Sequence, residues 1–205
     1  MTAVVDYGVG NLFSLCSSLK TVGAEVAVTG DPEVIKKADR IILPGVGAFP
    51  DAAKKLRDSK LDKVIVEQAT AGVPLMGICL GMQLLFNESY EYGVHKGLGL
   101  IKGKVVGMKG SIPDELDIPH MGWNALKFRK TSPLFKYIAE DDCVYFVHSY
   151  FATECEESLI ASAEYGIDIT AAVQSGNIFG CQFHPEKSGA AGLKILKAFC
   201  EESKK

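Results

Sequence analysis

Basic runs are missing from this 205-residue sequence, in which 22 lysines and arginines face 25 aspartates and glutamates for a net charge of −3. So weakly acidic a chain lacks the electrostatic footprint of a protein that grips the nucleic-acid phosphate backbone. A small, neutral or locally recognised substrate is expected instead. The six cysteines, at positions 16, 79, 143, 155, 181 and 200, never form a C-x-x-C pair, which excludes zinc ribbons and thioredoxin motifs. The start, Met1-Thr2-Ala3-Val4-Val5-Asp6, has no basic region and meets a carboxylate at once. No secretory signal is expected there, and a reducing, cytoplasmic setting fits the cysteine usage. No apolar run is both long and unbroken. The longest uncharged stretch, between Glu67 and Glu88, is cut by Gly72, Pro74, Gly77 and Gly81 into a buried strand, a turn and a helix start. Internal repeats and low-complexity linkers are absent too.

What is present is the composition of a globular protein, 47% hydrophobic with 21 glycines and 8 prolines, in a length suited to one domain spanning residues 1–205. The first half alternates strand and helix patterns. Strands are expected at Ala3–Tyr7, Glu25–Thr29, Arg40–Gly45 and Val73–Ile78. Helices are expected from about Asn11 to Val22, after Asp31-Pro32, over 51–71, and from Leu80. This βαβαβαβα order predicts an α/β, flavodoxin-like fold with a largely parallel central sheet flanked by helices. The second half carries strand-like runs at 98–108, 124–128, 143–151, 159–164, 169–174 and 178–183, which predict an antiparallel extension of that sheet. A last amphipathic helix presents Leu193, Leu196 and Cys200 on one face, with Ile195 and Phe199 beside it.

The strongest chemical signal is Gly77-Ile78-Cys79-Leu80-Gly81, where a buried strand meets a helix, with glycines two residues either side of the cysteine. That is the pattern of a nucleophile elbow: the turn is too crowded for side chains at the glycine positions, and the sulfur is pushed outward. A helix N-terminus favours a thiolate by only ~0.3–1 kcal/mol, so a nucleophile here needs a base. Taken alone, the elbow fits a buried structural cysteine equally well. Of the four histidines, His184 is best placed, at the carboxyl end of the run Ile178–Phe183, where open α/β sheets keep their active sites. Glu186 follows across Pro185, and Cys79, His184 and Glu186 make a plausible triad. His148, closing the run Val144–Val147, is the rival base. His95 and His120 fall in loop-like segments. The Gly-rich loop Leu43–Phe49 follows an earlier strand, and its backbone N–H groups, with that of Leu80, fit an oxyanion hole, though such a loop by itself fits a phosphate cradle equally well. A dinucleotide or P-loop site is excluded, since both G-x-G-x-x-G and the P-loop lysine are missing. Neither a metal nor a cofactor is expected.

Taken together, Gly77-Ile78-Cys79-Leu80-Gly81-Met82-Gln83 and His184-Pro185-Glu186 resemble the triad (class I) glutamine amidotransferases. Pro119–Asn124, Tyr145–Tyr150, Asp6–Asn11 and His184–Gly189 are similar to the glutaminase subunits of imidazole glycerol phosphate synthase, and the resemblance covers essentially the whole chain. It implies a Cys79 thiolate that attacks the carboxamide of glutamine, His184 as proton carrier and Glu186 as its orienter. It also implies an oxyanion hole at Val46, Gly47 and Leu80, and glutamine contacts at Gly45, Gln83, Ser149 and Tyr150. Asn11, Trp123 and Lys187 are implied at the face that meets a cyclase subunit, as a heterodimer. Val46 stands where many amidotransferases of this class have a glycine. A β-branched residue resists positive φ, which fits a glutaminase that is weak until its partner is loaded. The alternatives are the glutaminase subunit of another ammonia-using synthase, a catalytically silent binding protein, and a cysteine protease on a similar sheet.

Overall fold

In the computed structural model, which describes residues 1–204, the first half runs β1 (Thr2–Val5), α1 (Leu12–Thr21), β2 (Val26–Thr29), α2 (Pro32–Lys36), β3 (Arg40–Leu43), α3 (Phe49–Asp58), α4 (Leu61–Thr70), β4 (Leu75–Ile78) and α5 (Leu80–Gln83). The second half adds β5 (Glu88–Ser89), β6 (His95–Lys96), β7 (Lys104–Gly107), β8 (His120–Ala125), β9 (Lys127–Phe128), β10 (Cys143–His148), β11 (Tyr150–Thr153), β12 (Leu159–Glu164), β13 (Asp168–Ser175), β14 (Ile178–Cys181) and α6 (Gly189–Cys200).

The central sheet has eight strands in the order β2-β1-β3-β4-β14-β13-β12-β9. Pairing is parallel from β2 through β14 and antiparallel beyond it. This is the mixed α/β sheet expected from the two halves of the sequence. Its central strands are apolar at nearly every position because both faces are covered. Ala3, Val5, Ile41, Leu43 and Leu75 point into one core with α2, α3 and α4. Their neighbours Val4, Ile42, Met76 and Ile78 point into the other, with Leu15 and Leu19 of α1 and Ile195, Leu196 and Phe199 of α6.

Several boundaries differ from the sequence reading. The helical stretch 51–71 is two helices, broken where Lys60 adopts a left-handed φ of 61°. The helix from Leu80 is a single turn of four residues, so the dipole at Cys79 is weaker than that of a full helix. Of the run 98–108, only Lys104–Gly107 is strand: Leu98, Leu100 and Ile101 donate to the carbonyls of Leu84 and Leu85. The run 143–151 is split at Ser149, with β10 pairing to β8 and β11 to β7. His95 and His120 lie on strands, not in loops. In α6 the fully buried face is Ile195, Leu196 and Phe199, while Leu193 and Cys200 are half-buried.

Candidate active site

Cys79 sits between β4 and α5 with φ 53° and ψ −113°, a conformation that costs a non-glycine residue free energy and is held only by what surrounds it. The surroundings are close. A Cβ at Gly81 would stand 1.9 Å from the carbonyl oxygen of Leu43, and one at Gly77 would stand 2.6 Å from the carbonyl oxygen of Gly81. The two glycines thus let the turn close onto β3. Cys79 N–H continues the β4–β14 ladder by donating to the Cys181 carbonyl at 2.8 Å.

His184 follows β14 on the adjacent strand, and its place is fixed from both sides. Its N–H donates to the Tyr145 carbonyl at 2.9 Å, while Ser188 Oγ donates to its carbonyl at 2.7 Å and accepts from Tyr145 N–H at 2.9 Å. Pro185 opens a short 3₁₀ turn, Pro185–Lys187, which folds the Glu186 carboxylate back to 2.8 Å from His184 Nδ1. A carboxylate only accepts, so Nδ1 carries the hydrogen and Nε2 is left for the cysteine. Burial disfavours the charged imidazole, but hydrogen bonds to Cys79 and Glu186 and the charges of both outweigh it, and the His184 pKa is raised to about 9. The second carboxylate oxygen of Glu186 is buried without a hydrogen-bond donor, which leaves the imidazolium as the main compensation for that charge.

His148 cannot compete as the base. Its Nδ1 lies 2.8 Å from the Tyr150 carbonyl and its Nε2 lies 3.1 Å from His120 Nδ1. Burial above all, with the charges of His120 and His184, lowers its pKa to about 3. His120 is stacked between Phe146 and Tyr165 and burial lowers its pKa as well.

The triad cysteine and histidine open into a cleft of about 520 Å³ with Val46, Gly47, Leu80, Gln83, Ser149, Tyr150 and Lys187 on its walls, a volume suited to a small ligand. Gly47 takes the left-handed φ of 92° in the loop after β3; Val46 does not. As first residue of α5, Leu80 has a backbone N–H without an intrahelical acceptor. Gly45 packs against the start of α5, where a Cβ would stand 2.7 Å from the Gly81 nitrogen. Asn11 stands just before α1 without capping it through its side chain, which donates to Ser14 Oγ instead. Trp123 is half exposed on β8, edge-on to Tyr145, over whose ring Lys187 Nζ stands.

Two residues at the site escaped the sequence reading. Glu91, the one carboxylate on the cleft wall, accepts from Phe49 N–H at 2.7 Å, and burial raises its pKa. Gln182, fully buried, approaches the cysteine sulfur. Its signal was there, as the lone polar side chain of an apolar strand end; Glu91 carried none. A larger groove of about 620 Å³ along residues 128–136 holds no such constellation, and its cations are engaged: Arg129 with Asp168, Lys136 with Glu201 and Lys130 with two backbone carbonyls. Among the described residues no cluster of three or more His, Cys, Asp or Glu side chains is arranged to hold a metal ion.

The glutamine amidotransferase class-I family matches residues 3–202. The imidazole glycerol phosphate synthase subunit HisH of Bacillus velezensis is 52% identical over 97% of this chain and 95% of its own length. That of Methanosarcina acetivorans is 51% identical, over 97% and 96%. Among solved structures, a glutamine amidotransferase superposes with a TM-score of 0.76 at 19% identity over 97% of both chains. The structure of PurLQS from Thermotoga maritima does so with 0.76 at 22% identity, over 97% and 96%; at these identities both speak for the fold alone. An elbow cysteine, an oriented imidazole and this kinship agree, and the chain belongs to the class-I glutamine amidotransferase family, within the group of imidazole glycerol phosphate synthase glutaminase subunits.

Proposed function

We propose that Cys79, His184 and Glu186 hydrolyse glutamine in this cleft and that the ammonia is handed to a cyclase subunit bound as a heterodimer. The observation that carries the reading is a buried His184 imidazole, 2.8 Å from the Glu186 carboxylate, that shares one cleft with the elbow cysteine at the carboxyl ends of β4 and β14. His184, an imidazolium at neutral pH, already holds the Cys79 proton on Nε2, and the thiolate sulfur attacks the carboxamide carbon. The backbone N–H groups of Gly47 and Leu80, with Val46 beside them, receive the oxyanion. The imidazolium protonates the leaving nitrogen, the C–N bond breaks, and a glutamyl thioester remains. Water, deprotonated by His184, then releases glutamate. Glu91 meets the substrate ammonium, Gln83 turns its carbonyl oxygen to the cleft, and Ser149 and Tyr150 supply backbone contacts.

Ammonia becomes ammonium in neutral water and loses its nucleophilic lone pair, so a sealed interface is the chemically sensible destination. Support for a partner there comes from Phe13, 86% exposed, and Trp123, 54% exposed: single large apolar side chains left in water next to Asn11 and Lys187. We read residues 1–205 as one amidotransferase domain of cytoplasmic histidine biosynthesis, in which the partner forms imidazole glycerol phosphate and an aminoimidazole carboxamide ribonucleotide. Among the described residues no helix is long and apolar enough to cross a membrane.

The test is glutamate release by the purified chain alone and with a histidine-pathway cyclase and its phosphorylated ribonucleotide substrate. Weak release alone that rises steeply with the loaded partner is the expected result, and Cys79→Ser abolishes both, by about 10⁴-fold or more. Strong release indifferent to the cyclase assigns the chain to another synthase.

A further inference from the structure

The structure orients a fully buried amide at the reacting sulfur. Gln182 follows β14, its backbone N–H donating to the Ala171 carbonyl at 2.9 Å. Its side chain meets two groups. Gln83 Nε2 lies 2.9 Å from Gln182 Oε1 and 3.0 Å from the Tyr150 carbonyl. A backbone carbonyl can only accept, so Gln83 must present its –NH₂ there, and the atom of Gln182 that meets the second Gln83 hydrogen must be the oxygen. Gln182 is thereby left with its own –NH₂ toward Cys79 Sγ, at 3.6 Å. The assignment of the amide follows from Tyr150, a group that cannot be flipped.

We propose that Gln182 is a further catalytic residue of this site, its amide N–H donating to the Cys79 sulfur and stabilising the thiolate. The proposal rests on the reading of Cys79 as nucleophile. Before acylation the S–H bond has broken, the proton is on His184 Nε2 as the imidazolium, and the electron pair stays on sulfur opposite the Gln182 donor. In deacylation water adds to the thioester carbon and gives its proton to His184. The C–S bond then breaks and its pair returns to sulfur, opposite the same donor. His184 leaves the sulfur to serve the departing nitrogen and then the water. Gln182 cannot give up its proton, so it is the one donor present throughout. Its carbonyl, tied to Gln83, prevents the amide from turning away.

The experiment compares the full chain with Gln182→Met, which removes donor and acceptor at similar volume, and Gln182→Glu, which keeps the acceptor for Gln83 and puts an oxygen in place of the donor. Alkylation of Cys79 by iodoacetamide is followed across pH by peptide mass, with and without glutamine. In Gln182→Met the reaction is expected to be about tenfold slower at neutral pH, the value of one pH unit, and to recover fully at alkaline pH; Gln182→Glu is slower still. Unchanged rates, or a loss that persists at alkaline pH, overturn the proposal in favour of packing. A second measurement needs no variant at 182: in the ¹⁵N-labelled chain the Gln182 side-chain amide protons shift in step with the alkylation profile, and Cys79→Ala removes that shift. An amide indifferent to pH overturns the proposal even if the variants misfold. If instead Cys79→Ser still turns over glutamine, the nucleophile assignment fails; normal glutamine protection of Cys79 with flat Gln182 variants sinks the Gln182 role alone.

Discussion

Two imidazoles near the same cleft are pushed in opposite directions, His184 up to about 9 and His148 down to about 3, and stability must follow both. For His184, an unfolded imidazole titrates at the ordinary 6.5, so the stabilisation is fully present below that pH. It drains as pH rises toward about 9, where the native state holds a proton the unfolded chain has lost. For His148 the unfolded chain takes up a proton that the native state refuses, so stability falls as pH drops from 6.5 toward about 3. Thermal unfolding followed against pH should therefore peak near neutrality. His184→Gln should flatten the alkaline limb and His148→Gln the acid limb; limbs unchanged in these variants would assign the slopes to other groups. Glu91 yields a kinetic expectation. Glu91→Gln keeps an acceptor for Phe49 N–H but loses the charge facing a substrate ammonium, so KM for glutamine should rise ~10–100-fold, the worth of a charged hydrogen bond, with kcat changed far less. A fall in kcat at constant KM would remove Glu91 from substrate binding.

The elbow is a close-packed joint between β3, β4 and α5, and its tolerance is set by backbone. Because a Cβ at Gly81 would overlap the Leu43 carbonyl at 1.9 Å, Gly81→Ala has no side-chain rotation to relieve it. A loss of about 3 kcal/mol or more is expected in urea unfolding, and full stability would show that the β3–α5 approach is looser than described. The same joint was legible in the sequence, since glycines flanking a cysteine between an apolar run and a helical pattern leave few alternatives. The parallel strands were legible for a related reason: Ile41–Leu43 and Leu75–Ile78 are apolar on both faces. Other elements were not. At Lys60 nothing but a polar Ser-Lys pair marks the break between α3 and α4, and lysine has no preference for the left-handed conformation it adopts. Leu98 and Leu100 are apolar because they pack against the first core, yet their N–H groups go to a loop rather than a strand; apolarity reports burial here, not pairing. His184 and Glu186 were legible as neighbours across Pro185, whereas the meeting of Gln182 with Cys79 is made by register between β4 and β14, which local sequence does not encode.

Lys187 on the cleft wall stands over the Tyr145 ring and Trp123 meets the same ring edge-on, so the partner surface proposed above borders the cleft. Exposed aromatics at the centre of an interface carry a disproportionate share of its energy. Trp123→Ala is expected to weaken cyclase binding by about 2 kcal/mol, roughly 30-fold, in a titration of the two subunits, without loss of folded structure. Undiminished affinity would move the interface away from β8. The central sheet has two unlike borders. Its outermost strands are β2, four residues long, and β9, only two. Long unpaired edges invite further strands, from swapped neighbours to fibrils. Here one border is as long as the parallel strands beside it, and the other is a two-residue stub leading straight into Arg129 and Lys130. Lateral growth of the central sheet ends at β9, where a strand that tried to add would find two residues to pair with and then a bend into charged side chains.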